Sequence, residues 1–288
     1  MSLATEKAAV QLRHITHRTH GRRNGPAVRL MSPSDFGKLL KPFVFLDFFD
    51  MQGPPFVGEL HPHSGIATLS YLIDGRMDLI DPDGHTVVLP SGGVEWMQAG
   101  RGMWHGGSVG DEKHGRVRGF QLWVALPPEL ELGPTISAFQ KAQDIVSTGP
   151  ARVLLGSYGN VHSAIQAPSP MNFLAVKLKA GERWTYIPPS GHTVLWVSPV
   201  EGGLLANGEK VNPEELVAFE HSNQSVHFEA LTDTQFILGS AVRHQHDLVL
   251  GYYSVHTSPQ ALKVGESHIQ ALGKRLVEEG RLDPRYVK

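Results

Sequence analysis

Two histidines stand two residues apart in His61-Pro62-His63, and a third, His105, follows the run Trp96-Met97-Gln98-Ala99-Gly100-Arg101-Gly102-Met103-Trp104. On an extended segment residues i and i+2 point to one face, so a returning strand that brings His105 alongside offers three imidazoles to one metal ion. Pro62 has no N–H to give to a sheet ladder, which favours an edge position or a barrel mouth for the pair. The chain has no cysteine. Thiolate sites, disulfides and cysteine nucleophiles are thereby excluded, and a metal must be held by His, Asp or Glu.

Imidazoles can grip a metal only if their backbone is fixed beforehand, and the surrounding sequence supplies strands to fix it. From Phe43 onward short apolar runs at 43–50, 68–73, 77–80, 86–89 and 94–98 alternate with Asp74-Gly75, Asp81-Pro82-Asp83-Gly84 and Pro90-Ser91-Gly92-Gly93. That rhythm predicts consecutive hairpins in a sandwich or barrel. A further strand at 119–126 ends at Pro127-Pro128, and 134–146 reads as a partly helical connection. Runs at 152–155, 172–178, 193–197, 215–219, 225–229 and 235–241 repeat the style and predict a second barrel. Within it His192, His221 and His227 have no metal-site spacing, and His244-Gln245-His246 reads as a surface loop.

After Pro259 the apolar period becomes 3.6, with Leu262, Ile269, Leu272, Leu276 and Val277 on one stripe and Ser258 as N-cap. Gly265 and Gly273 each cost about 1 kcal/mol against Ala in a helix and argue against one unbroken segment. The expected organisation is all-β: a first barrel with the metal site over 1–133, a linker over 134–150, a metal-free barrel over 151–257, and a short helical segment over 258–288.

At 288 residues, 26 Lys+Arg against 28 Asp+Glu give a net charge of -2. No broad basic field exists for a nucleic acid, and the segment from Arg13 to Arg23 reads as a solvated first strand. The N-terminal residues show no apolar leader core, and no run reaches the ~20 apolar residues that cross a bilayer. A soluble, unexported, cytoplasmic protein without a membrane partner is expected.

His63, four residues, Thr68, six residues and Gly75 follow the frame of a first cupin motif, with Thr68 where a carboxylate often stands. Gly92, five residues and Gln98-Ala99-Gly100 follow that of the second, with His105 two residues late. With Ser70-Tyr71-Leu72 and Gln121-Leu122-Trp123-Val124 added, the chain resembles the pirins, which are bicupins; the resemblance is strongest from Phe43 to Leu126. Residues 251–258 resemble the return of a pirin chain to its N-terminal barrel.

The resemblance implies one metal, usually iron, held by His61, His63 and His105 with a glutamate two residues after the last. Here that position is Gly107. Three alternatives follow: three histidines and water hold the metal, a set that also suits zinc or another divalent ion; Glu59, which shares strand parity with His61, or Glu95 moves in as a replacement ligand; or the site holds no metal. A glycine at 107 is expected to widen the pocket beside Thr68, Arg101, Met103 and Trp104, and Gly107→Glu to tighten metal binding. The resemblance also implies two functions from different classes. One is a quercetin-type dioxygenase acting on a small aromatic hydroxy-ketone; the other is a non-catalytic regulatory module that binds a protein partner.

Overall fold

The computed structural model describes residues 12–80, 85–110 and 116–287. The predicted turn at 81–84 lies outside them. Two cupin barrels pack against each other, each built from a seven-stranded and a four-stranded antiparallel sheet, and a helix closes the chain. Among the described residues no helix is long and apolar enough to cross a membrane.

The two seven-stranded sheets meet face to face. Alternate residues of each enter a shared core, among them Leu69, Tyr71, Phe120 and Leu122 from the first barrel and Phe173, Trp196 and Ile237 from the second. Phe43 meets Trp196 edge to face across this junction, with ring centroids 5.5 Å apart. The opposite faces look into the barrels. In the second barrel that interior is filled by Leu174, Val197, Phe219, Phe228, Phe236 and Leu238.

Each large sheet takes its edge strand from outside its own barrel's run of sequence. Ile15–Thr19, expected in the first barrel, pairs antiparallel with Leu216–Phe219 of the second. Ile136–Gln140, expected in a partly helical linker, pairs with Val94–Gln98 of the first, and only a single 3-10 turn, Ala142–Asp144, follows it. A sheet edge with unpaired N–H and C=O groups recruits whatever extended chain lies nearby.

The closing segment, expected to form one or two short helices, is a single helix of 20 residues, Pro259–Glu278, with Ser258 Oγ accepting from the Ala261 N–H as N-cap. Its most buried row is Ala261, Gly265, Ile269 and Gly273, four residues apart, which shares only Ile269 with the predicted stripe. The glycines are contact residues: a Cβ on Gly265 would lie 2.6 Å from both His256 Nε2 and Ser64 Oγ, and one on Gly273 2.8 Å from the Trp104 ring. Small residues let the helix backbone lie directly on the barrel.

In an exposed helix Gly265→Ala would gain about 1 kcal/mol from propensity, whereas overpacking here costs about 1–3 kcal/mol. Gly265→Ala is therefore expected to lower the thermal unfolding midpoint; a higher midpoint would show that the helix does not seat on the barrel through this residue.

Candidate metal centre

The strands Phe56–His63 and Met103–Val109 pair antiparallel in the four-stranded sheet of the first barrel, with His105 opposite His61 and Met103 opposite His63. Cross-strand neighbours on one face approach closely, and the i, i+2 pair adds the third ring. Ring centroids are 4.5 Å apart for His61 and His105, 4.9 Å for His61 and His63, and 5.0 Å for His63 and His105. One ligating nitrogen from each lies within 4.8 Å of the other two.

The hydrogen bonds set which nitrogens are free. His61 Nδ1–H donates to the Glu59 carbonyl and His63 Nδ1–H to the Tyr253 carbonyl, both at 3.0 Å. A carbonyl only accepts, so the lone pair of the neutral ring is on Nε2 in each case. His105 Nε2 is buried without a hydrogen-bond partner, an arrangement that a bound cation would satisfy. Burial pushes the His61 pKa below its ordinary value and those of His63 and His105 well below it, with repulsion from the neighbouring rings adding to the effect at His63 and His105. Three neutral, converging imidazoles fit a divalent metal ion.

The cavity next to them measures about 250 Å³. Phe45, Met77, Leu79, Val109 and Trp123 give it apolar walls, with Phe45 stacked on Trp123 at 4.1 Å. Tyr253 also lines it, from the segment that returns after the second barrel. Its backbone is left-handed, with φ 51°, a conformation disfavoured by roughly 1–2 kcal/mol for an L-residue.

Neither candidate replacement carboxylate joins the 4.8 Å cluster. Glu59 lies on the exposed rim and accepts a hydrogen bond from the Tyr286 hydroxyl. Glu95 lines the cavity, is 5% exposed, and accepts from Ser70 Oγ at 2.8 Å. Burial raises its carboxyl to about 7, partly opposed by that hydrogen bond.

Of the predicted pocket residues, Gly107 lines the cavity, but it does not widen it. The strand Arg76–Ile80 occupies the adjacent space, and a Cβ on Gly107 would lie 2.3 Å from the Asp78 carbonyl oxygen. Thr68, Arg101, Met103 and Trp104 lie away from the cavity wall. Thr68 is buried with Oγ1 unpartnered, Arg101 is exposed, and Met103 clusters with Met97 and Ala99. Trp104 follows strand alternation to the face opposite His105, where its Nε1–H donates to the Ile269 carbonyl of the helix. Ser70, Gln121 and Trp123, which no motif spacing marks as site residues, also line the cavity. Ser70 and Gln121 carry a usable signal, each being a polar residue in the middle of a largely apolar strand.

In the second barrel His192 bonds Ser240, His227 bonds Thr185 and His221 bonds Arg243. His244, expected on a surface loop, is buried, and burial lowers its pKa to about 4. Among the described residues the first-barrel histidines form the one cluster suited to a metal.

The Pirin family model matches residues 26–124. A Pseudomonas aeruginosa protein named "Putative quercetin 2,3-dioxygenase PA3240" is 33% identical over 213 residues, which cover 67% of this chain and 73% of that one. A pirin-like protein of Solanum lycopersicum is 25% identical over 98% of both chains. Among solved structures, a quercetin 2,3-dioxygenase from Acinetobacter baumannii superposes with a TM-score of 0.80 at 22% identity, covering 92% of this chain and 98% of that one. The Escherichia coli pirin YhhW in complex with nickel(II) superposes with a TM-score of 0.64 at 18% identity, over 77% of this chain and 94% of that one. At those identities the superpositions speak for the fold, while the family rests on the sequence matches. The chain belongs to the pirin family, as a bicupin whose first barrel holds a three-histidine site for a divalent metal.

Proposed function

We propose that the first barrel catalyses oxygen-dependent oxidation of a flavonol-like aromatic hydroxy-ketone, with iron(II) held by His61, His63 and His105. The observation that carries this reading is the convergence of three Nε2-directed, uncharged imidazoles on a cavity with apolar and aromatic walls. When bound, the ion supplies open coordination positions and the electron exchange that dioxygen chemistry needs, which zinc, having no redox chemistry, cannot supply. The protein's part is orientation and the exclusion of water. Phe45 and Trp123 offer flat apolar surface to a planar ring, and a cavity of about 250 Å³ falls just under the ~300 Å³ at which pockets for drug-sized ligands begin. A compact, planar substrate fits that size.

The Nδ1 bonds to Glu59 and Tyr253 hold the His61 and His63 rings before an ion arrives, so removing one ring should cost more than removing a surface histidine. His63→Ala is expected to lower metal content roughly tenfold or more, measured by elemental analysis, and to abolish quercetin-dependent oxygen uptake by iron-loaded protein. Uptake by His63→Ala equal to that of the wild type, or none by the iron-loaded wild type, would sink the dioxygenase reading.

Gly107→Glu tests the resemblance against the packing. Placing a side chain against the Asp78 carbonyl costs about 1–3 kcal/mol, so the variant is expected to melt at a lower temperature without gaining metal affinity. Tighter metal binding at an unchanged midpoint would mean that the strand Arg76–Ile80 yields easily and that a glutamate reaches the ion.

A further inference from the structure

Three polar side chains form one row across the large sheet of the first barrel. Ser70 is registered opposite Glu95 on one neighbouring strand and opposite Gln121 on the other. Its Oγ lies 2.8 Å from Glu95 Oε2 and 2.9 Å from Gln121 Oε1, and all three residues line the histidine cavity. Because Glu95 lies outside the 4.8 Å histidine cluster, it is part of the cavity wall rather than of the ligand set.

The second barrel shows that the fold does not require this row. Its large sheet has the same strand arrangement, and the corresponding register places Val197 opposite both Val217 and Leu238. All three belong to that barrel's apolar core. A buried carboxylate with no cationic partner costs stability, so the polar row of the first barrel is a local departure from what packing alone favours. Such departures concentrate at functional sites.

We infer that Glu95 is the proton acceptor for an acidic hydroxyl of the substrate, with Ser70 and Gln121 as positioning residues. This rests on the reading of the cavity as the substrate site. The substrate O–H bond breaks with its electron pair left on oxygen, and a new O–H bond forms on the Glu95 carboxylate. Net charge is conserved, since the negative charge passes to the substrate facing the histidines.

The row suits both protonation states. With Glu95 ionised, Ser70 donates to it and the Gln121 amide N–H turns to donate to Ser70; with Glu95 protonated, Glu95 donates to Ser70, which donates to the Gln121 carbonyl. No hydrogen bond is lost in either direction. Burial brings the carboxyl to about 7, so both forms are populated at neutral pH.

The other ionisable residues lining the cavity are Glu59, the three histidines and Tyr253. The histidines are kept neutral by burial, and the Glu59 carboxylate is engaged with Tyr286 at the rim. The arrangement favours a neutral weak acid over a ligand that arrives as an anion, since an ionised Glu95 repels the latter.

The test is anaerobic titration with quercetin, following the long-wavelength absorption that appears when the flavonol loses its proton, with metal content and unfolding midpoint measured on the same samples. The wild type is expected to generate the band as pH rises through about 7. Glu95→Gln, nearly isosteric and able to keep a bond to Ser70, is expected to retain wild-type metal content and fold while the anion fraction at pH 7.5 falls at least tenfold. Glu95→Asp should restore part of it.

An equal band in Glu95→Gln, or no band in the wild type, overturns the assignment. Oxygen uptake is read separately, so the two readings fail apart. A Glu95-dependent band without uptake retires the dioxygenase reading alone, and His63-dependent uptake with an unchanged band in Glu95→Gln retires the role of Glu95 alone.

Discussion

The large sheet of the first barrel has no wet face along its central strands. Leu69, Tyr71, Phe120 and Leu122 pack into the core shared with the second barrel, while Ser70, Glu95, Gln121 and Trp123 look into the cavity. Strands buried on both sides lose the ordinary apolar-in, polar-out alternation and read as almost continuously hydrophobic. A polar residue inside such a strand faces a dry environment whichever way it points, so its desolvation costs free energy unless a partner meets it. Ser70, Glu95 and Gln121 meet that demand among themselves. The junction between the barrels thus supplies a rigid and dry back wall, in which one carboxyl group is pushed toward neutrality.

The opposite wall follows a different logic. In the four-stranded sheet His61 and His105 meet as cross-strand neighbours, and His63 joins them through the two-residue period. The ladder register slips immediately after His105, between it and Gly107. Gly107 then lets the strand Arg76–Ile80 close in where a side chain would stand. A cation held by three neutral imidazoles keeps its full charge, and in a low-dielectric cavity that charge acts strongly on a nearby anion. A histidine cluster without a carboxylate and a carboxylate on the far wall are complementary in the proposed reaction: a bound cation would keep positive charge for an oxyanion, and Glu95 would provide a way for that oxyanion to form.

Much of this was legible because strand geometry repeats. The two-residue spacing of His61 and His63, and hairpins short enough to return His105 to their side, permitted the three-imidazole site that the family resemblance implied; the restart of short apolar runs after residue 151 pointed to the second barrel. What was not legible depends on contacts distant in sequence. Nothing in Ile15–Thr19 or Ile136–Gln140 states which sheet edge each will cover, since edge pairing is decided by proximity once the barrels have formed. Gly265 and Gly273 looked like helix breaks because propensity weighs a residue without its neighbours, whereas here the neighbours are Ser64, His256 and Trp104 at close range. Gly107 looked like added room for the same reason.

The returning segment shows how far the site depends on such distant contacts. Tyr253 supplies the carbonyl that fixes the His63 ring, and it is held by Ser254 and His256, which reach back to Ser64, the residue after His63. His256 in turn meets Glu131 at 3.1 Å, and Glu131 also takes the backbone and side chain of Thr257. Serine, histidine and glutamate therefore stand in the order of a hydrolytic triad, but the Ser64 hydroxyl is completely buried with Gly265 of the helix packed above it. No substrate carbonyl could reach that oxygen. The network acts instead as a clamp: it joins the strand that carries His63 to the segment that orients it, and the helix glycines allow the lid over that clamp to sit close enough to keep water out. The orientation of a first-barrel ligand is thus fixed by a segment that the chain reaches only after completing the second barrel.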